Sequence, residues 1–111
     1  MHKGSNEFEF VTGTINSPDN KTTIPVHKIE VLKHFNTNKP QLVTMSKYFK
    51  EYDDSQQDEI YNYLVKMFND KTEFILNGID EKGESKSFKC IIDEKPEEKL
   101  GIIYAFIVEK L

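Results

Sequence analysis

The fold is decided by one run near the end of the chain, Ile102-Ile103-Tyr104-Ala105-Phe106-Ile107-Val108. The run is apolar on both faces and dense in β-branched and aromatic side chains, which favours a central strand of a sheet. The alternative is a buried helix that starts at Pro96, with Glu97 and Glu98 in its first turn. We expect a strand over residues 101–109, because β-branched side chains lose rotamer freedom in a helix.

Two further β-rich runs precede this one, over residues 73–79 and 86–93. Polar turns separate the three runs, and they contain Gly83 and Pro96, residue types that turns favour. Successive β-rich runs joined by such turns are typical of antiparallel strands that pair in chain order. The sequence therefore predicts a three-stranded antiparallel meander at the C-terminal end.

A second β pattern occupies the beginning of the chain. Residues 7–15 alternate between polar and apolar with a period of two, which indicates a half-buried strand. The turn Ser17-Pro18-Asp19-Asn20 follows, and residues 22–32 are again β-rich, so an N-terminal hairpin is predicted. Pro25 cannot donate a hydrogen bond to a neighbouring strand and favours an edge or a bulge at its position.

Two helices are predicted between these β regions. The first follows Pro40 and is indicated by apolar residues at helical spacing: Leu42, Met45, Phe49 and Tyr52. The second spans about residues 56–69 and is predicted to start from a capping box of Ser55 and Asp58.

The whole chain is expected to form one α+β domain over residues 1–111, with residues 1–6 disordered. Its predicted architecture is an N-terminal β-hairpin, two helices and the C-terminal meander. Because a half-apolar sheet must bury one face, we expect both helices to pack on the same face of the sheet.

The composition argues against several classes of function. All 15 lysine-plus-arginine residues are lysines, the net charge is −4 and no segment is strongly basic, so direct nucleic-acid binding is disfavoured. No apolar run is long enough to span a bilayer, and no signal peptide is visible. The one cysteine, Cys90, cannot form an intrachain disulfide. We therefore expect a cytoplasmic protein that binds neither nucleic acid nor membranes.

Short catalytic and cofactor-binding motifs are absent: the chain has no GxGxxG, P-loop, HExxH, GxSxG or CxxC. His27 and His34 are seven residues apart, so one continuous strand would place them on opposite faces and disfavour a shared metal or acid–base role. Cys90 alternates with Phe88 and Ile92 on one predicted strand face, which indicates a buried, unreactive thiol. We expect no catalytic residue, metal or cofactor, and a protein that is not an enzyme.

The candidate binding residues lie on the second predicted helix and just before it. Tyr61 and Val65 widen the apolar face beyond what one contact requires, and tyrosine is favoured at interfaces. Acidic residues are dense at the start of this helix, where they either steer a basic partner or complement the helix dipole. The predicted partner-binding residues are Glu51, Tyr52, Asp53, Asp54, Asp58, Tyr61 and Val65.

These features predict a small non-catalytic protein-binding or regulatory module, an inhibitor or adaptor whose partner is another protein. Its codon-biased composition is typical of an AT-rich bacterial or phage genome. One alternative is a small-molecule-binding protein or enzyme with a pocket between sheet and helices, in which His27 or Tyr48 is the polar group. Another is a homo-oligomeric assembly protein, a homodimer for example, that pairs through an open sheet edge or the second helix.

Overall fold

The computed structural model describes residues 6–32, 42–47, 53–96 and 102–111. In chain order these residues form β1 (Asn6–Asn16), β2 (Thr23–Leu32), β3 (Leu42–Lys47), α1 (Asp54–Asp70), β4 (Phe74–Ile79), β5 (Ser85–Ile92) and β6 (Ile102–Lys110). All strand pairs are antiparallel, and they close into a barrel in the order β1-β2-β3-β6-β5-β4.

The predicted α+β architecture is wrong, because the described residues form a mostly β fold with one helix. Leu42 and Met45, which suggested a first helix, lie in β3, and Phe49 and Tyr52 lie outside the described residues. β3 pairs with β2 on one side and with β6 on the other. A strand held on both sides gains tertiary contacts that outweigh a weak helical spacing of apolar residues.

The predicted arrangement of a C-terminal three-stranded meander with two helices on one face of the sheet is also wrong. β4, β5 and β6 pair in chain order. However, β4 also pairs with β1, and β6 pairs with β3, so the N-terminal hairpin belongs to the same ring. Closure leaves no free edge on the six described strands, so an open sheet edge, one of the two routes to assembly that the sequence suggested, is not found among them.

The hydrophobic core fills the inside of the barrel, as expected for a small number of strands. Inward positions alternate along β5, where Phe88, Cys90 and Ile92 are buried. The buried hydrophobic residues are Phe10, Ile15, Ile24, Val26, Ile29, Val31, Val43, Leu64, Met67, Phe74, Leu76, Phe88, Cys90, Ile92, Ile103, Ala105 and Ile107. Leu64 and Met67 come from α1, which connects the end of β3 to the start of β4 and therefore lies at that end of the barrel.

Two facing glycines permit close contact between β1 and β4. Gly13 pairs with Gly78 across these strands. A Cβ atom built on Gly13 would lie 2.2 Å from the Asn77 carbonyl oxygen, and one on Gly78 would lie 2.7 Å from the Phe10 ring. Only residues without a Cβ allow the backbone and the ring to approach this closely.

β2 contains an irregularity that no local sequence pattern predicts. Lys28 has a positive φ of 49°, and the pairing with β3 shifts register between His27 and Glu30. Strict alternation would make Lys28 the next buried residue after Val26. The next buried residue is instead Ile29, three positions after Val26. Such a bulge bends the strand and helps a sheet curl into a barrel.

α1 is the one helix within the described part of the chain, and it falls short of the length and apolar content needed to cross a bilayer.

Candidate protein-binding surface

α1 begins with a capping box, but not with the predicted one. The Asp53 carboxylate accepts a hydrogen bond from the Gln56 backbone N–H at 2.8 Å, and the Asp53 backbone N–H donates to Gln56 Oε1 at 3.1 Å. The predicted box of Ser55 and Asp58 is wrong, because Asp53 takes the N-cap position two residues earlier. Asp53 is therefore occupied by the helix itself, while Asp58 is not needed for capping.

The structure describes five of the seven predicted binding residues, since Glu51 and Tyr52 lie outside the described residues. Besides the capping Asp53, the other four follow one another at intervals of four, three and four positions: Asp54, Asp58, Tyr61 and Val65. This spacing places them on one side of the helix, which we call the α1 flank. Asp54 and Asp58 are exposed, and Tyr61 and Val65 are half-buried.

A different side of α1 faces the barrel. Leu64 and Met67 are buried, and Ile60, Tyr63 and Phe68 pack against the core. These five residues account for most of the broad apolar face that the sequence shows. Tyr61 and Val65 lie at the margin of this contact, where they keep solvent-accessible surface.

The carboxylates of the α1 flank have no ion-pair partner among the described residues. The described ion pair of this helix joins Lys66 Nζ to Asp70 Oδ2 at 3.7 Å, and both side chains are exposed. Asp54 and Asp58 therefore present exposed negative charge next to partly exposed apolar side chains. That combination attracts a basic surface and offers it an apolar contact.

A groove of 610 Å³ lies beside the β4–β5 turn, at the end of β4 remote from α1. It mixes four carboxylates with two ammonium groups and one imidazole, and its lining residues are Glu9, Phe10, Val11, His27, Lys28, Asp80, Glu81, Lys82 and Glu84. The Asp80 carboxylate is engaged in the turn, since it accepts from the backbone N–H groups of Lys82 and Glu84, each at 2.9 Å. Within the described ranges no group of three or more histidine, cysteine, aspartate or glutamate residues is placed to hold a metal ion.

One of the two polar groups expected in a ligand pocket, His27, lines the groove beside the β4–β5 turn. The other, Tyr48, lies outside the described residues, as does His34. Leu64 and Met67 fill the contact between α1 and the barrel.

Cys90 lies inside the barrel, as predicted. Burial raises the pKa of its thiol to about 12. Because the thiolate is the nucleophilic form, this cysteine is unreactive in the folded protein near neutral pH.

Sequence reasoning missed the groove. β1, β2 and the β4–β5 turn meet there only because the barrel closes, and no local pattern signals the bulge at Lys28 that shapes one wall. Comparison with known proteins adds no guide, since the chain matches no protein-family model, no curated protein and no solved structure.

Proposed function

We propose that the protein is a small non-catalytic binding module, of the inhibitor or adaptor type, that holds a basic partner protein through the α1 flank. The observation that carries this proposal is the alignment, on one side of a single helix, of two half-buried apolar side chains and two exposed carboxylates that form no ion pair with another described residue. A cytoplasmic location agrees with a chain whose only cysteine is a buried thiol.

Tyr61 and Val65 supply the apolar part of the proposed contact. They are four residues apart, so their side chains are neighbours on the helix surface. Tyrosine combines a large apolar ring with a polar hydroxyl and is enriched among the residues that dominate binding energy. A partner that covers both side chains removes their remaining surface from water.

Asp54 and Asp58 supply the electrostatic part. They extend the same flank toward the start of the helix. Both are exposed, and neither forms an ion pair with another described residue. Exposed charges of one sign accelerate the encounter with an oppositely charged surface, and salt weakens this effect. A basic patch on the partner is the matching chemistry.

The flank is also held rigidly, which limits the entropy lost on binding. The capping box fixes the start of α1, and Leu64 and Met67 anchor its middle in the core. At the other end, Lys71 adopts a left-handed conformation and its backbone N–H donates to the Phe68 carbonyl oxygen at 3.2 Å.

The proposal is tested by identifying a partner and measuring its affinity for matched variants. Protein retained from a lysate of the source cells is identified by mass spectrometry, purified and titrated by calorimetry against the wild type and against Y61S/V65S. We expect the flank variant to lose roughly tenfold or more in affinity, the effect of truncating an interface tyrosine. The control V11S/I79S removes exposed apolar side chains from β1 and β4 and is expected to bind like the wild type.

Equal binding by the wild type and Y61S/V65S would reject the α1 flank as the site. Failure to recover any protein that binds again after purification would reject the binding module itself. The variant D54N/D58N separates the charge effect, because it should slow association at low salt and change little at high salt.

A further inference from the structure

The outward side of β6 is apolar along most of the strand. Ile103, Ala105 and Ile107 point into the core, and the intervening residues point outward: Ile102, Tyr104, Phe106 and Val108. We call these four residues the β6 stripe. Tyr104 and Phe106 are half-buried, while Ile102 and Val108 are 43% and 51% exposed, so both ends of the stripe are open to solvent.

The adjacent strand β5 and the strand beyond it, β4, differ from β6 in this respect. Outward positions on β5 include Ser85, Ser87 and Lys89, and Asn77 lies between the outward isoleucines of β4. Ile91 of β5, which pairs with Phe106, extends the apolar surface sideways. Since the core already fills the barrel, these outward side chains are surplus to it, and contiguous apolar surface of this kind marks an interaction site.

Charges of both signs border the β6 stripe at one end. Lys89 Nζ lies 3.7 Å from Glu109 Oε1 and 4.0 Å from Glu73 Oε1. Charges of both signs suit a symmetric contact between identical surfaces, because a two-fold axis can bring the lysine of one copy to an acid of the other. Both charged residues of the α1 flank, Asp54 and Asp58, are acids, so two copies of that surface would repel each other.

We propose that the β6 stripe is the contact through which two copies of this chain form a symmetric dimer. The stripe is about 20 Å long at roughly 3.4 Å per residue. Together with Ile91 it covers less than the roughly 800 Å² per partner of a standard stable interface. The dimer is therefore weak, and it forms and dissociates with concentration. This inference is independent of the proposed partner-binding role of α1, which uses another surface.

Two pairs of matched residues allow a sharp test. Val108 and Val11 are 51% and 50% exposed, and Ile102 and Ile79 are 43% and 40% exposed, but only the first member of each pair lies in the stripe. Sedimentation velocity is measured from micromolar to millimolar concentration for the wild type, I102K/V108K and V11K/I79K. We expect the wild type and V11K/I79K to approach twice the monomer mass and I102K/V108K to stay monomeric.

A wild type that stays monomeric up to millimolar concentration would overturn the proposal. So would a dimer that survives in I102K/V108K, equal loss in both double variants, or growth beyond the dimer without a plateau. Circular dichroism confirms that each variant is folded before it is compared.

A charge-complementation experiment tests the proposed dimer even if I102K/V108K does not fold. K89E makes the group of Glu73, Lys89 and Glu109 at the end of the stripe wholly acidic, and E109K makes it mainly basic. Two copies of either variant therefore repel each other there, and each variant alone should dimerise less than the wild type. An equimolar mixture restores opposite charges across the two-fold axis and is expected to reach a higher average mass than either variant alone. A mixture that behaves as the simple average of its components contradicts the symmetric contact.

Discussion

Gly13 faces Gly78 across β1 and β4, and a side chain at this position has no room. A Cβ on Gly13 would meet the Asn77 carbonyl oxygen at 2.2 Å, and backbone atoms cannot rotate away as a flexible side chain can. We expect G13A to lower the free energy of unfolding by about 3 kcal/mol or more, measured by urea denaturation.

Gly83 provides the comparison for this substitution. A Cβ there would meet no atom within 4 Å, and only its positive φ of 86° opposes a side chain. G83A should therefore lower the free energy of unfolding by about 1 kcal/mol, because alanine is strained in a left-handed backbone conformation. Equal losses in the two variants would contradict the steric explanation for Gly13.

Cys90 gives the protein a specific pH dependence. Burial raises the pKa of its thiol from 9.0 to about 12, so the unfolded chain ionises first as the pH rises. The stabilisation is complete below pH 9 and is lost progressively between pH 9 and 12, at about 1.4 kcal/mol per pH unit at most. We expect the free energy of unfolding to fall more steeply over this range in the wild type than in C90A. Parallel curves would show that Cys90 does not titrate differently in the two states.

At the scale of the element, α1 depends on its N-cap. The Asp53 carboxylate accepts the Gln56 backbone N–H, which would otherwise lack a partner at the helix start. We expect D53A to lower the free energy of unfolding by about 1 kcal/mol. S55A alters the residue that the sequence pattern favoured as the cap and should change stability little. Urea denaturation of both variants measures the difference, and a larger loss in S55A would contradict the observed cap.

The same elements show what local sequence can and cannot predict. The helix expected over about residues 56–69 is confirmed as α1, and the strand expected over residues 101–109 is confirmed as β6. Both have strong local patterns, a helical apolar face and a dense β-branched run. β3 was missed because its short apolar spacing suits either a helix or a strand, and only pairing with β2 and β6 decides between them.

Pro25 illustrates how a correct local rule depends on its surroundings. Because proline has no backbone N–H, Pro25 was expected at a sheet edge or a bulge, yet its strand β2 lies between β1 and β3 in the ring. The pairing with β3 starts only at Val26, one residue later, so the missing N–H of Pro25 falls outside the described ladder with β3.

At the scale of the whole molecule, the pairings that close the barrel join residues far apart in the chain. β1 pairs with β4, and β3 pairs with β6, but no turn joins these strands, so no local sequence pattern predicts the pairing. The groove beside the β4–β5 turn and the position of the β6 stripe on an outer wall both follow from closure. The α1 flank, by contrast, was predicted in part, because residues three and four apart on a helix share a side whatever the rest of the chain does.

The single core makes the barrel and α1 one cooperative unit. Leu64 is completely buried among residues from the strands, whereas its neighbour Val65 is only half-buried. We expect L64A to cost about 2–5 kcal/mol and V65A clearly less. Far-UV circular dichroism and tyrosine fluorescence should follow the same transition in both variants. Separate transitions, with the helix melting before the strands, would contradict a shared core.

The ring of strands also bears on how the protein behaves when it is stored or overproduced. Fibril growth requires a strand whose backbone groups are available to template the next chain, and each described strand already has a neighbour on both sides. The described strands can then template a fibril only in molecules in which the ring has opened. Thioflavin fluorescence should therefore develop at a rate that tracks the population of opened protein, and G13A should shorten the lag in proportion to its loss of stability.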